Sequence, residues 1–148
     1  MIQIAGEHDA DYPVIRNCIL QDSYQQFIKV TYGKKKAEIS ADFGLIENSV
    51  FQYTDGIGPN YYIGGVDLHG GNSWVIRNNR FKDIASPDGS ISEHAVHAWS
   101  NAYNTIVENN IIEDCDRAIG FGLFTKKRHP SIVYEHRGGI IRNNLILH

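Results

Sequence analysis

Cysteine is scarce in this chain: Cys18 and Cys115 are the only two among 148 residues. Two thiols outside any recognised spacing exclude a disulfide scaffold and a cysteine-rich zinc site, and two free, buried thiols are expected. Long apolar runs are missing too. No stretch approaches the ~20 residues of a membrane helix, so no membrane partner is expected. Positive charge is not in excess, because 14 Lys and Arg face 17 Asp and Glu for a formal net charge of -3. The molecule therefore lacks the field that draws nucleic acid, and none is expected as a partner. The basic runs Lys34-Lys35-Lys36 and Lys126-Lys127-Arg128 read as solvated loop charge. The first residues, Met1-Ile2-Gln3-Ile4, carry no basic lead, and Gly6-Glu7-His8-Asp9 ends the apolar stretch, so no signal peptide is read. As written, the chain is expected in the cytoplasm unless an upstream part has been lost.

What is present is a repeat. Val75-Ile76-Arg77-Asn78-Asn79-Arg80-Phe81 matches Ile106-Val107-Glu108-Asn109-Asn110-Ile111-Ile112 and Ile140-Ile141-Arg142-Asn143-Asn144-Leu145-Ile146. Weaker copies lie at Val14 to Leu20 and Leu45 to Phe51. Taking Asn17, Asn48, Asn78, Asn109 and Asn143 as equivalent, the steps are 31, 30, 31 and 34 residues. Each unit is β-branched and bounded by Gly, Asn and Ser, so it reads as a strand and a turn, not a helix. Similar strands at a fixed period stack in parallel and in register. The column Arg16, Glu47, Arg77, Glu108, Arg142 then alternates in sign at every step, which favours that register. The aligned Asn column is expected to form an amide ladder and to supply the backbone conformation of the bend.

This I-x-N-N-x-[IF] pattern resembles the coil repeat of the right-handed parallel β-helix proteins, the superfamily of pectate lyases and their relatives. The resemblance implies an all-β fold, a right-handed parallel β-helix (solenoid) of about five coils forming one domain over residues 1–148. It also implies a polysaccharide or oligosaccharide partner, and a secreted or periplasmic location if the chain is truncated. It transfers no catalytic residue, since neither acidic calcium clusters, nor lyase Arg and Lys motifs, nor paired polygalacturonase aspartates are found.

A second aligned strand follows in each coil, centred on Ile28, Val66, Val96 and Ile119, which share a core face with Val30, Leu68, Ala98 and Phe121. The opposite face presents Lys29, Asp67, His97 and Gly120 as one column and Thr31, His69, Trp99 and Gly122 as the next. An indole, imidazoles, an amine and a carboxylate are the parts from which sugar sites are built. The expected function is carbohydrate binding or lyase- or hydrolase-like polysaccharide processing on this face; the alternative is a non-catalytic structural or interaction module, or a fragment of a larger β-helix protein. In the enzyme reading, His97 paired with Asp67 is the proton carrier, its pKa raised by the carboxylate, and Lys29 or Arg117 neutralises charge. His69, Trp99, Glu93 and His94 are the substrate-binding candidates. The loops Gln52 to Ile63 and Asp83 to Ser92 are expected to wall the groove.

Glu93-His94-Ala95-Val96-His97 suggests a metal, but residues three apart on a strand point to opposite sides. His94 and His97 could share an ion only if His94 lies at the bent start of its strand, so neither metal nor other cofactor is assigned. Alternation also leaves Val14, Leu45, Val75, Ile106 and Ile140 as an outward apolar column, covered by a loop such as Phe124 to Arg137 or by a partner. No cap is read at either end, which suggests a homo-oligomer or a piece of a longer solenoid.

Overall fold

The computed structural model describes residues 1–33, 39–123 and 129–148; both basic runs and Phe124 lie outside them. Among the described residues the chain is all-β apart from one short 3-10 turn, Gly6–His8. No helix is long and apolar enough to cross a membrane.

Three five-stranded sheets run the length of a parallel solenoid of about four turns, against the five coils expected. The first contains Ile2–Ile4, Gln26–Val30, Gly64–His69, Val96–Trp99 and Ile119–Phe121. The second contains Val14–Arg16, Leu45–Glu47, Val75–Arg77, Ile106–Glu108 and Ile140–Arg142; the third contains Ile19–Gln21, Val50–Gln52, Arg80–Lys82, Ile111–Glu113 and Leu145–Leu147. Every neighbouring pair within them is parallel, and the register matches the repeat: Glu47 beside Arg77, Arg77 beside Glu108, Glu108 beside Arg142. The inward columns bury Ile46, Ile76 and Val107, then Phe51, Phe81 and Ile112, then Val30, Leu68 and Ala98. Phe51 and Phe81 stack with ring centroids 4.8 Å apart.

The repeated Asn-Asn pair divides its work, and the amide ladder is displaced by one residue from the expected column. Asn17, Asn48, Asn78, Asn109 and Asn143 all have positive φ, between 52 and 56°. They make the bend between the second and third sheets, where Asn tolerates the left-handed conformation better than other side chains. The following residue forms the ladder. The Asn79 amide donates from both its backbone N and Nδ2 to Asn110 Oδ1, at 3.0 and 3.1 Å, and Asn110 does the same to Asn144 Oδ1 at 3.0 Å in each case. Each Nδ2 also reaches a backbone carbonyl one coil away, Ile46 for Asn79 and Ile76 for Asn110. The outward first Asn cannot make these bonds, because its side chain leaves the bend on the solvent side.

The charged column resolves into two close pairs, Arg77 with Glu47 Oε2 at 2.8 Å and Arg142 with Glu108 Oε2 at 2.7 Å. The apolar column beside it stays open: Val14 and Ile140 are exposed, and Leu45, Val75 and Ile106 are half-buried. The described part of the proposed covering loop lies elsewhere. His136–Arg137 pairs with Ala102–Tyr103, and Asn101 Oδ1 accepts from the Val133 backbone at 2.8 Å. Those backbone bonds extend the corner between the first and second sheets and draw the segment away from the column. The thiols of Cys18 and Cys115 are free, as expected, but half-buried and not fully enclosed.

Candidate functional site

The first sheet positions the site. Ile28, Val66 and Val96 are fully buried, so the intervening residues are held outward on a rigid floor. Lys29, Asp67, His97 and Gly120 stand in one column, and His69 adjoins Trp99 in the next.

Asp67 is the hub of this surface. Its Oδ2 accepts from Lys29 Nζ at 2.8 Å and from His69 Nε2 at 2.9 Å, while Oδ1 accepts from Trp99 Nε1 at 2.8 Å. The residue is 6% exposed. Burial alone would raise the carboxyl; the hydrogen bond and charge of His69, then Lys29, overcome it and hold Asp67 well below the usual carboxylate range. For Lys29 burial pulls the ammonium down, and the Asp67 charge and hydrogen bond more than restore it, so the pKa ends raised. All three donors converge on one carboxylate, which orients them as a unit.

The expected His97–Asp67 proton carrier is not formed. His97 is 1% exposed and bonds through Nε2 to the Gly122 carbonyl at 3.2 Å. Its pKa is lowered, not raised, because burial outweighs the Gly122 bond and the nearby Asp67 and Glu93 charges. The carboxylate is already committed to His69, two residues along its own strand, which sequence spacing could not rank against a cross-strand neighbour. Arg117 does not join this group either; its charge acts on His94.

A cleft of about 140 Å³ opens over the hub, lined by Gln26, Lys29, Tyr62, Asp67, His69, Glu93 and Trp99. Of the predicted binding residues, His69, Trp99 and Glu93 line it, whereas His94, His97 and Arg117 sit beside it. Tyr62 comes from the loop expected as a wall, with Lys29 Nζ 5.8 Å from its ring centre. From the second loop, the side wall is only its following residue, Glu93. Gln26 escaped the sequence reading: it occupies the strand's first position, and its Oε1 is buried without a hydrogen-bond partner. Rings continue along the sheet, with Tyr32 6.2 Å from His69, His69 4.4 Å from Trp99, and Trp99 stacked on His97 at 5.1 Å. A second, larger cleft of about 340 Å³ lies at the neighbouring corner between Ser40, Asp42, Asn101, Tyr103, Tyr134 and Arg137. It holds no comparable buried ionic hub, so the smaller cleft has the stronger chemistry.

No family model, curated protein or solved structure matches this chain. What the site can do therefore rests on its own geometry. Two of the expected proton-moving groups are engaged: Asp67 has three partners and His97 is buried against the Gly122 carbonyl. Those that could read a ligand are fixed in place.

Proposed function

We propose that this protein is a carbohydrate-binding β-solenoid, akin in repeat to the pectate lyase-like superfamily, whose cleft over Asp67 takes a neutral sugar unit of an oligosaccharide or polysaccharide. The carrying observation is a polar floor locked by Asp67 beside an exposed aromatic face, Tyr62, and the half-exposed carboxylate of Glu93. Tyr62 lines the opening and is exposed. Aromatic faces take the apolar side of a pyranose, while the half-exposed Glu93 accepts from hydroxyls. Lys29 and His69 both point their donors at Asp67 and not into the cleft, which disfavours a uronate carboxylate as the recognised group. Pre-ordered side chains lose little freedom on binding, which favours recognition even in a small cleft.

The test is a glycan array followed by calorimetry. A neutral glycan should bind, and Tyr62→Ala and Glu93→Ala should each weaken it by about 10-fold or more, roughly the loss of one ring contact or one hydrogen bond to a charged group, with the circular dichroism spectrum unchanged. Absence of binding to any glycan would overturn the reading. A structural module is then the better account, and the observation favouring it is the complete pairing of Asp67 inside the protein itself.

A further inference from the structure

Next to the cleft, Glu93, His94 and His97 form a second cluster, of which the sugar reading uses only Glu93. One donor atom from each lies within 4.8 Å of the others. The expectation that His94 and His97 point apart holds only where the strand is regular. The strand begins at Val96, so His94 precedes it, and the bend there turns both rings to one side with centroids 4.4 Å apart.

The hydrogen bonds determine which atoms face inward. A carbonyl can only accept, so His97 Nε2 must carry the proton it gives to Gly122, and in the neutral ring Nδ1 is then a bare lone pair. That Nδ1 lies 3.7 Å from Glu93 Oε2, and His94 Nδ1 lies 3.9 Å from the same oxygen. His94 Nδ1 is buried and has no hydrogen-bond partner. Two imidazole nitrogens and a carboxylate oxygen thus converge with no hydrogen bond between them. The surrounding charges are Asp67, already paired with Lys29, and Arg117.

We propose that Glu93, His94 and His97 form a binding site for one divalent transition-metal ion of the zinc class. Imidazole with one carboxylate is a donor set suited to that class and not to calcium or magnesium, which take oxygen ligands. Donors around a tetrahedral zinc stand roughly 3.3 Å apart, given zinc–nitrogen bonds of about 2.0–2.1 Å, so closure asks only small side-chain shifts. The Gly122 carbonyl supplies the outer hydrogen bond that orients a ligating histidine. Gly120 supplies room: a Cβ there would come within 2.6 Å of His94 Nε2. Three protein ligands leave a coordination position open, and Glu93 also lines the cleft. This inference does not depend on sugar binding.

The test is titration of chelator-treated full-length protein with Zn²⁺ and with Co²⁺, read by calorimetry and by the visible absorption of bound cobalt. One ion per chain at micromolar affinity or tighter, with the intense visible bands of tetrahedral cobalt, is expected. Glu93→Gln and His94→Ala, both at partly exposed positions, should each weaken binding by at least about 10-fold. Gly120→Ala should weaken it with all three ligand residues kept, because the added Cβ displaces the His94 ring. Failure of the folded wild-type chain to bind either ion, or affinities unchanged in all three folded variants, would overturn the proposal, the latter by placing the ion on other histidines.

Discussion

Asp67 gathers a lysine, an imidazole and an indole on two oxygens, and the consequence is a strong dependence of stability on its charge. Asp67→Ala leaves a partly buried ammonium and a buried indole N–H without their acceptor, and should cost about 2–4 kcal/mol in urea unfolding. The pH dependence has a definite sign. The folded carboxyl titrates below its unfolded value of about 3.9, so its contribution is complete above about pH 5 and is lost as pH falls through the folded pKa. Asp67→Asn should remove that acid-sensitive part, giving a flatter stability profile below about pH 4 than the parent chain. Cys115 offers an independent check. Burial pushes its thiol up to about 12, so thiolate is scarce near neutral pH and alkylation by iodoacetamide should be slow until the protein is denatured. Rapid labelling of the folded chain at Cys115 would mean that its coil opens readily.

At the scale of the repeat element, the two adjacent asparagines do separate jobs and should respond differently to substitution. Asn110 is 1% exposed and serves four hydrogen bonds, accepting two from Asn79 and donating to Ile76 and Asn144. Asn110→Ala orphans a buried N–H and a buried carbonyl and should cost about 2–4 kcal/mol. Asn109 holds φ at 56° and points outward, so Asn109→Gly should be within about 0.5 kcal/mol of neutral, whereas Asn109→Val should cost about 1–2 kcal/mol from the left-handed backbone. Equal losses at both positions would contradict this division. The charged ladder is weaker. Glu108→Arg removes one pair with a half-exposed Arg142 and sets the new cation beside Arg77, so about 1 kcal/mol is expected, partly recovered by adding Arg77→Glu.

For the whole molecule the decisive feature is the last coil. Ile141 and Ile146 stand in the columns that bury Val107 and Ile112 one turn earlier, yet they are 50% and 57% exposed. Leu145 and Leu147 are exposed beside them. A contiguous exposed apolar patch of this kind favours association in water. The 148-residue chain on its own is expected to self-associate through this face, and Ile146→Asp should shift light scattering toward the monomer. A monomer at micromolar concentration in the parent chain would sink that expectation.

Much of the architecture was legible before any coordinates because a repeat converts sequence position into spatial position. A step near 31 residues, the alternation at Ile28, Val66 and Val96, and the signs of Glu47, Arg77, Glu108 and Arg142 specify which residues are neighbours one coil apart. Lys29 beside Asp67 and His69 beside Trp99 followed directly from that register. Choice among competing partners did not follow. Asp67 bonds to His69 along its own strand and not to His97 above it, because side-chain reach and burial, not strand spacing, rank those contacts. The ladder lies on Asn79, Asn110 and Asn144 because a left-handed bend turns the preceding asparagine outward, a rotation with no signature in the pattern. Gln26 and Tyr62 reach the cleft from a strand start and a loop, outside the aligned columns. His94 and His97 meet because the chain bends just before Val96. Periodicity therefore specifies what repeats from coil to coil, and the breaks in periodicity, where backbone direction changes, are settled only when the chain is packed in three dimensions.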